Sequence, residues 1–120
     1  MDGGISDEQA IIWLNEIAAN GWVSLHYDNP SLGGAERAEV SGGGYVRFKM
    51  VWSPPRNRAI WSTMDARFQG LLQTKILYFG VWDLQYRGFM RAYAELPEPG
   101  VVLNGEGYIL HKEQLAISFG

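Results

Sequence analysis

The side chains of this chain that could do chemistry are few and scattered. His26 and His111 are its two histidines, and with no cysteine in 120 residues a zinc site would need both of them plus carboxylates gathered by the fold. Neither histidine belongs to a paired-ligand spacing, so ordinary surface or rim histidines are the better reading. A Ser-His-Asp arrangement would need a serine on a sharp nucleophile elbow, and no serine has that setting. Ser41-Gly42-Gly43-Gly44 has the glycine content of a phosphate cradle, but such a loop leads from a strand into a helix and ends in Lys-Ser or Lys-Thr. Here the glycines lead into a strand, which makes them a turn or bulge. Glycoside hydrolysis would need two facing carboxylates, and Glu36, Glu39, Asp65 and Asp83 fall in loops or at strand ends with nothing to single them out. They read as surface charge.

One mixture of residue types points toward a ligand. Arg47, Lys49, Arg56, Arg58 and Arg67 accompany Trp52 and Trp61, and basic grooves interleaved with aromatic platforms bind single-stranded nucleic acid. Two observations oppose it: the net charge is −3, and strand alternation puts Trp52 on the opposite face from Arg47 and Lys49. Nucleic acid is therefore not an expected partner. An exposed Trp or Tyr could stack on a sugar instead. No catalytic, cofactor-binding or metal-binding residue is assigned, no cofactor is expected, and the chain is expected not to be an enzyme.

The elements that would have to position any site are mostly strands. Lys75 to Asp83 is almost wholly apolar, as expected of a strand covered on both faces. Leu84 to Gly88 can reverse the chain, and Phe89 to Glu95 runs back beside it. Before this hairpin, Ser6-Asp7-Glu8-Gln9 forms a capping box that starts a helix over about Asp7 to Ala19, with Asn20-Gly21 as a left-handed stop. Ala10, Trp13, Leu14, Ile17 and Ala18 give the helix one apolar stripe. Trp22 to Tyr27 is a strand with Val23, Leu25 and Tyr27 on one face and Trp22, Ser24 and His26 on the other. Asp28 to Ala38 reads as a long surface loop, the segment expected to move most outside the termini. Tyr45 to Trp52 alternates clearly, with Val46, Phe48, Met50 and Trp52 inward and Arg47 and Lys49 in solvent.

Pro54-Pro55 ends that strand, and Arg56-Asn57-Arg58 is an exposed basic loop. Ala59-Ile60-Trp61 and Ala66-Arg67-Phe68 are short strands, and Leu96 to Gly100 is a loop. Val101 to Leu103 and Tyr108 to His111 flank the turn signal Asn104-Gly105. Gln114 to Phe119 closes the chain with Leu115, Ile117 and Phe119 on one face. One helix followed by seven or eight strands, with turn signals every eight to twelve residues and no interspersed helix, favours an antiparallel sandwich. The division expected is an N-terminal helix and cap over residues 1–21 and a β-sandwich domain over residues 22–120.

Composition agrees: 47% apolar residues argue against disorder, and 15 glycines suit many tight turns. Met1-Asp2-Gly3-Gly4 has no basic leader region and no apolar run approaches about 20 residues, so a soluble protein made in the cytoplasm, without membrane insertion, is expected. Charge is segregated. Residues 1–36 hold six carboxylates and no Lys or Arg, residues 37–91 hold nine basic against three acidic side chains, and residues 92–120 hold four carboxylates against Lys112. A basic middle between acidic ends can pair within one subunit or make copies complementary to each other, and pairing within the subunit is the plainer reading.

The order of segments adds a family. Glu39-Val40-Ser41-Gly42-Gly43-Gly44-Tyr45-Val46-Arg47 before an alternating strand, then Tyr78-Phe79-Gly80-Val81-Trp82-Asp83, a turn with Gly88, and Ala92-Tyr93-Ala94-Glu95-Leu96, resembles a family of small phage structural proteins. These are minor tail proteins or tail fibre proteins, many from phages of actinobacteria. Val101 to Glu106 and Leu115 to Phe119 look like that family's closing pattern, while Pro54 to Arg58 and Arg67 to Gly70 depart from its small, Thr- and Ala-rich middle. The resemblance implies a jelly-roll-like sandwich that assembles in several copies in a virion without catalysis, and it carries over no functional residues. The expectation is a structural subunit at the tail tip or baseplate, contacting copies of itself and neighbouring virion proteins, with the helix and the charge segregation serving assembly. A carbohydrate-binding module touching a host-surface glycan, or a capsid decoration protein, are the alternatives.

Overall fold

A computed structural model of the chain describes residues 6–30 and 38–118. Most of the expected Asp28 to Ala38 loop, including Glu36, therefore lies outside the described residues, as does Phe119. The protein is mainly β, with one helix, α1 (Asp7–Ala19), ahead of eight strands: β1 (Trp22–His26), β2 (Phe48–Lys49), β3 (Ala59–Trp61), β4 (Ala66–Phe68), β5 (Thr74–Trp82), β6 (Met90–Val102), β7 (Tyr108–Leu110) and β8 (Ala116–Ser118). All pairings are antiparallel. A four-stranded sheet in the order β2-β1-β5-β6 packs with two ribbons, β3-β8 and β4-β7. Among the described residues no helix is long and apolar enough to cross a membrane.

The helix starts where the capping box places it: Ser6 Oγ accepts from the Gln9 amide at 3.1 Å, and Asp7 and Glu8 occupy the first turn, where the helix dipole favours anions. It ends differently from expectation. Asn20 has φ −140°, so the stop is not left-handed. Gly21 serves packing instead, because a Cβ there would strike the Trp52 indole. Ala10, Leu14 and Ile17 are buried while Trp13 is exposed, so the stripe is narrower than the sequence suggests. Leu14 and Ile17 join the same apolar core as Val23, Leu25, Ile60, Phe68, Ile76, Phe79, Val81, Leu110 and Leu115.

Two long-range pairings depart from the sequence reading. Residues 90–102 form one strand rather than a strand, a loop and another strand. Both ends pair with β5, and Leu96–Pro99 is accommodated as a bulge between the Ile76–Gly100 and Tyr78–Glu95 pairs. Proline is tolerated there because β6 is the sheet edge and a bulge needs no ladder donor. The Asn104-Gly105 turn forms, with Gly105 at φ +85°, yet it joins no hairpin: β6 pairs with β5 and β7 with β4.

The alternating Tyr45 to Trp52 segment contributes only Phe48–Lys49 to a ladder, opposite Val23 and Trp22, with a lone bridge from Trp52 to Ser62. The rest of that edge of β1 is taken by residues 38–40, where Tyr27 N–H donates to Ala38 O and Val40 N–H to Leu25 O. Between the two partners the chain reverses through Gly42 and Gly43, both at positive φ. A Cβ on Gly44 would approach the Gln69 carbonyl to 2.7 Å, so this run is a turn pressed against residues 69–72, as a glycine-rich reversal must be.

Candidate functional site

The reversal brings Glu39 and Arg47, eight residues apart, onto the sheet face that carries Ser24, His26, Gly80 and Trp82. Arg47 is 6% exposed. Its Nε and Nη2 each donate to the Glu39 carboxylate at 2.8 Å, a bidentate geometry that holds two planar groups in one register. Its Nη1 donates to the carbonyls of Leu84 at 3.1 Å and Arg87 at 2.7 Å. The guanidinium plane lies 3.7 Å from the centre of the Trp82 ring, a cation–π stack made stronger by desolvation. Burying a charge is costly unless it is paired and hydrogen-bonded, and here four of the five guanidinium N–H groups are used.

Tyr45 completes the cluster. Its hydroxyl donates to Glu39 Oε2 at 2.5 Å and accepts from the Leu25 amide at 3.2 Å, filling the gap where the 38–40 segment diverges from β1. Burial, then the adjoining Glu39 carboxylate, pushes the Tyr45 phenol up, so it stays a donor.

Beneath Arg47 a second chain of hydrogen bonds runs through the sheet. Trp82 Nε1 donates to Ser24 Oγ at 2.8 Å, and Ser24 Oγ lies 2.6 Å from His26 Nε2. The Ser24 oxygen accepts from the indole and shares one further hydrogen bond with His26 Nε2, whose direction is set by the imidazole tautomer. His26 Nδ1 has no hydrogen-bond partner. Burial is the largest influence on His26, outweighing the nearby Glu39, and lowers it from 6.5 to about 4. The imidazole is neutral at physiological pH. Gly80 makes room for the chain: a Cβ there would sit 2.7 Å from Ser24 Oγ and 2.9 Å from the Met90 sulfur.

Above the cluster stands the β5–β6 turn, residues 83–89. Asp83 closes it, with its amide donating to the Phe89 carbonyl at 3.2 Å and its Oδ1 accepting from the Phe89 amide at 2.8 Å. Arg87 and Gly88 are both at positive φ. The turn carries Leu84, Tyr86 and Phe89, exposed by 54%, 66% and 75%. On one flank lies an open cleft of about 550 Å³, bordered by Tyr27, Gln85, Tyr86 and Arg87, with Glu39, Tyr45 and Arg47 at its base.

These placements revise several expectations. Arg47 does not face solvent, because Trp82 and the 83–89 turn cover that face; Met50 and Trp52 are inward as expected, but Val46 is exposed. Glu39 is half of a buried ion pair rather than surface charge. The two histidines are not brought together, since His26 is interior and His111 is exposed beside Asp65. Ser24 and His26 do touch, but both are wholly buried on neighbouring positions of one strand, so no substrate reaches them. The cations considered for nucleic acid are dispersed: Arg58 meets Asp7, Arg67 meets Asp65, and Arg56 and Lys49 lie over Trp61 and Trp22. Trp52 is buried. Among the described residues no three metal-ligating side chains cluster.

The fold is mainly antiparallel β, and its buried Arg47, held by Glu39 and stacked on Trp82, ties down one exposed turn; this is the class of mainly β proteins. The chain belongs to the family described as Podophage GP4 fiber I protein gp80, whose model matches residues 17–118. It is thus a phage fibre-type structural protein. No curated protein matches it.

Proposed function

We propose that the chain is a non-enzymatic subunit of the virion tail, at the tail tip or baseplate, made in the host cytoplasm and held in place by protein–protein contacts. Kinship with minor tail proteins of actinobacterial phages belongs to the same proposal and rests on the segment order given above. The observation that carries the reading is the braced turn. Leu84 and Phe89 present apolar surface on a backbone whose carbonyls are fixed to a buried arginine. Apolar side chains clustered in the open mark contact surfaces, and a turn already held in one conformation loses little further entropy on binding.

The test is a Leu84→Ser/Phe89→Ser variant, since neither residue lines the cleft. Its thermal melt should match the parent, and its incorporation into particles should fall at least about tenfold, as expected for losing two interface anchors. Wild-type incorporation would overturn the reading. Density for the subunit on the head of an imaged virion would replace tail placement with capsid decoration.

A second reading draws on the cleft. Tyr27 and Tyr86 beside Gln85 and Arg87 offer ring faces and hydrogen-bonding groups suited to a host-surface glycan. Binding of the purified protein to host wall polysaccharides, abolished by Tyr86→Ala, would support it, and silence across such an array would remove it. Neither nucleic acid nor membrane insertion forms part of either reading.

A further inference from the structure

We infer that β6 is a self-association edge, at which two copies pair antiparallel through Arg91–Glu95 about a two-fold axis at Tyr93. Among the described residues β6 is the last strand of its sheet and pairs only with β5. Proteins usually guard such edges, because free N–H and C=O groups recruit other strands. The far half of β6 is guarded: Leu96–Pro99 bulges out of the ladder, and Pro97 and Pro99 have no N–H to offer. Between that bulge and a smaller irregularity opposite Val81 and Trp82, the stretch before Leu96 pairs regularly.

That stretch is Ala92-Tyr93-Ala94-Glu95, and with the bulge residue Arg91 at its start it alternates between exposed and half-buried positions. Laid antiparallel against itself, it sets Tyr93 opposite Tyr93 of the second copy. Arg91 then faces Glu95 of the second copy at one end, and Glu95 faces its Arg91 at the other. Directly opposed residues interact across a ladder, so both charge pairs are favourable and the contact is self-complementary, as a two-fold interface must be. A parallel arrangement in register would oppose Arg91 to Arg91, and a two-residue slip would oppose arginine to tyrosine. Ala92–Glu95 pair regularly with β5 and Arg91 is the extra residue of the bulge opposite Val81 and Trp82, so the two bulges bound the outer pairing at Arg91 and Glu95 and fix its register. Ala92 and Ala94 are small, and beside them a groove of about 490 Å³ opens between β6, Ile17 and the Ala116–Ser118 strand, leaving room for the inner face of a second strand.

An interface of five residues a side is below the size of a permanent dimer, and a dissociation constant on the order of tens of micromolar is expected. Copies held close together in a particle would pair far more fully. The inference deepens the subunit reading and rests on it for its purpose, while its geometry is judged in solution.

The chain has no cysteine, so Tyr93→Cys supplies a single thiol. Opposed residues in an antiparallel pair lie about 4.5–5.5 Å apart at Cα, within disulfide reach. Under mild oxidation Tyr93→Cys should cross-link to a dimer, whereas Val101→Cys, exposed on the same strand beyond the bulge, should not. By sedimentation, Arg91→Glu and Glu95→Arg should each weaken dimerisation by about ten- to thirtyfold, as two opposed pairs become like-charged. The double R91E/E95R variant restores opposite charges and should return to within about threefold of wild type. Arg91 also reaches Asp83 at 3.5 Å; the cysteine comparison, which leaves all charges in place, decides the matter if Arg91→Glu disturbs the turn. Equal cross-linking at 93 and 101, a wild-type monomer at millimolar concentration, or a double variant no tighter than the singles would overturn the pairing. A monomer that still enters particles removes the edge and leaves the subunit reading intact; a dimer excluded from particles does the reverse.

Discussion

Acid should weaken this fold more steeply than its carboxylates alone would do, and His26 is the reason. The folded ring is lowered from 6.5 to about 4 by burial, and it sits wholly inside the sheet against Ser24. A depressed folded value means that between about 4 and 6.5 the unfolded chain binds a proton the native chain refuses. Stability from this group is therefore fully present above 6.5 and is lost as pH falls toward 4. The loss amounts to about 2 kcal/mol by pH 5 and roughly 3 kcal/mol near pH 4. Urea unfolding of wild type and His26→Gln from pH 4 to 8 isolates it, because the amide does not titrate and can bond Ser24 through either its oxygen or its nitrogen. Carboxylate effects are common to both proteins and cancel in the difference. Any difference at pH 7.5 is the ordinary cost of a core change; the diagnostic is slope, with wild type losing about 2 kcal/mol more than the variant between pH 7.5 and 5. Parallel profiles, or an imidazole that titrates above pH 6 in the folded protein by NMR, would refute the placement of His26 as a neutral interior group.

Three further outcomes follow from the geometry. Arg47→Met leaves the Glu39 carboxylate buried without its partner and strands two carbonyls, so denaturant unfolding should show a loss of about 3–5 kcal/mol, while Glu39→Gln/Arg47→Met should cost at least about 1 kcal/mol less than the sum of the singles. Gly80→Ala places a methyl against Ser24 Oγ and the Met90 sulfur and should destabilise by about 2–3 kcal/mol, with loss of the low-field indole signal of Trp82 in its present position. Glu113 is exposed at φ +66° in a turn closed by the Gln114 amide on the His111 carbonyl; Glu113→Gly relieves left-handed strain and should raise stability by about 0.5–1 kcal/mol, measurable as a melting temperature a few degrees higher.

Local signals in the sequence transferred well to the structure, and long-range ones did not. Ser6 and Gln9 fix the helix start, and the runs Ala59–Trp61 and Ala66–Phe68 are strands at the residues where β-branched, aromatic and turn residues place them. The alternation through Val23, Ser24, Leu25 and His26 assigns the two faces correctly but cannot say whether the second face is wet. That depends on Trp82, 58 residues on from Ser24, and on a turn that folds back over it. Arg47 shows the same gap: its parity is legible, its burial is not, because the carbonyls of Leu84 and Arg87 that satisfy it lie 37 and 40 residues away. One clue was available. Glu39 and Arg47 are opposite charges flanking a Gly-Gly-Gly reversal, a spacing at which two side chains can meet across the turn. The continuation of β6 through Pro97 and Pro99 was hidden for another reason, since proline forbids a ladder bond but not a bulge.

The segments that carry the family resemblance prove to be neighbours in space. Glu39 and Tyr45-Val46-Arg47 from one, and Gly80-Val81-Trp82-Asp83 from another, converge on the same few ångströms: Arg47 on Glu39, Arg47 over Trp82, Trp82 to Ser24 past Gly80, and Asp83 closing the turn above. Arg47 of the first segment stacks on Trp82 of the second and reaches the turn that follows it, so the pattern specifies a brace rather than a set of independent turns. A buried ion pair is a poor source of stability compared with an apolar replacement of the same volume. Its value here lies in direction: guanidinium donors fix two backbone carbonyls at once, where an apolar side chain would fix none. The buried cost is borne by the interior, and the outer result is a turn whose Leu84, Tyr86 and Phe89 are presented in one conformation, as the proposed contact role requires.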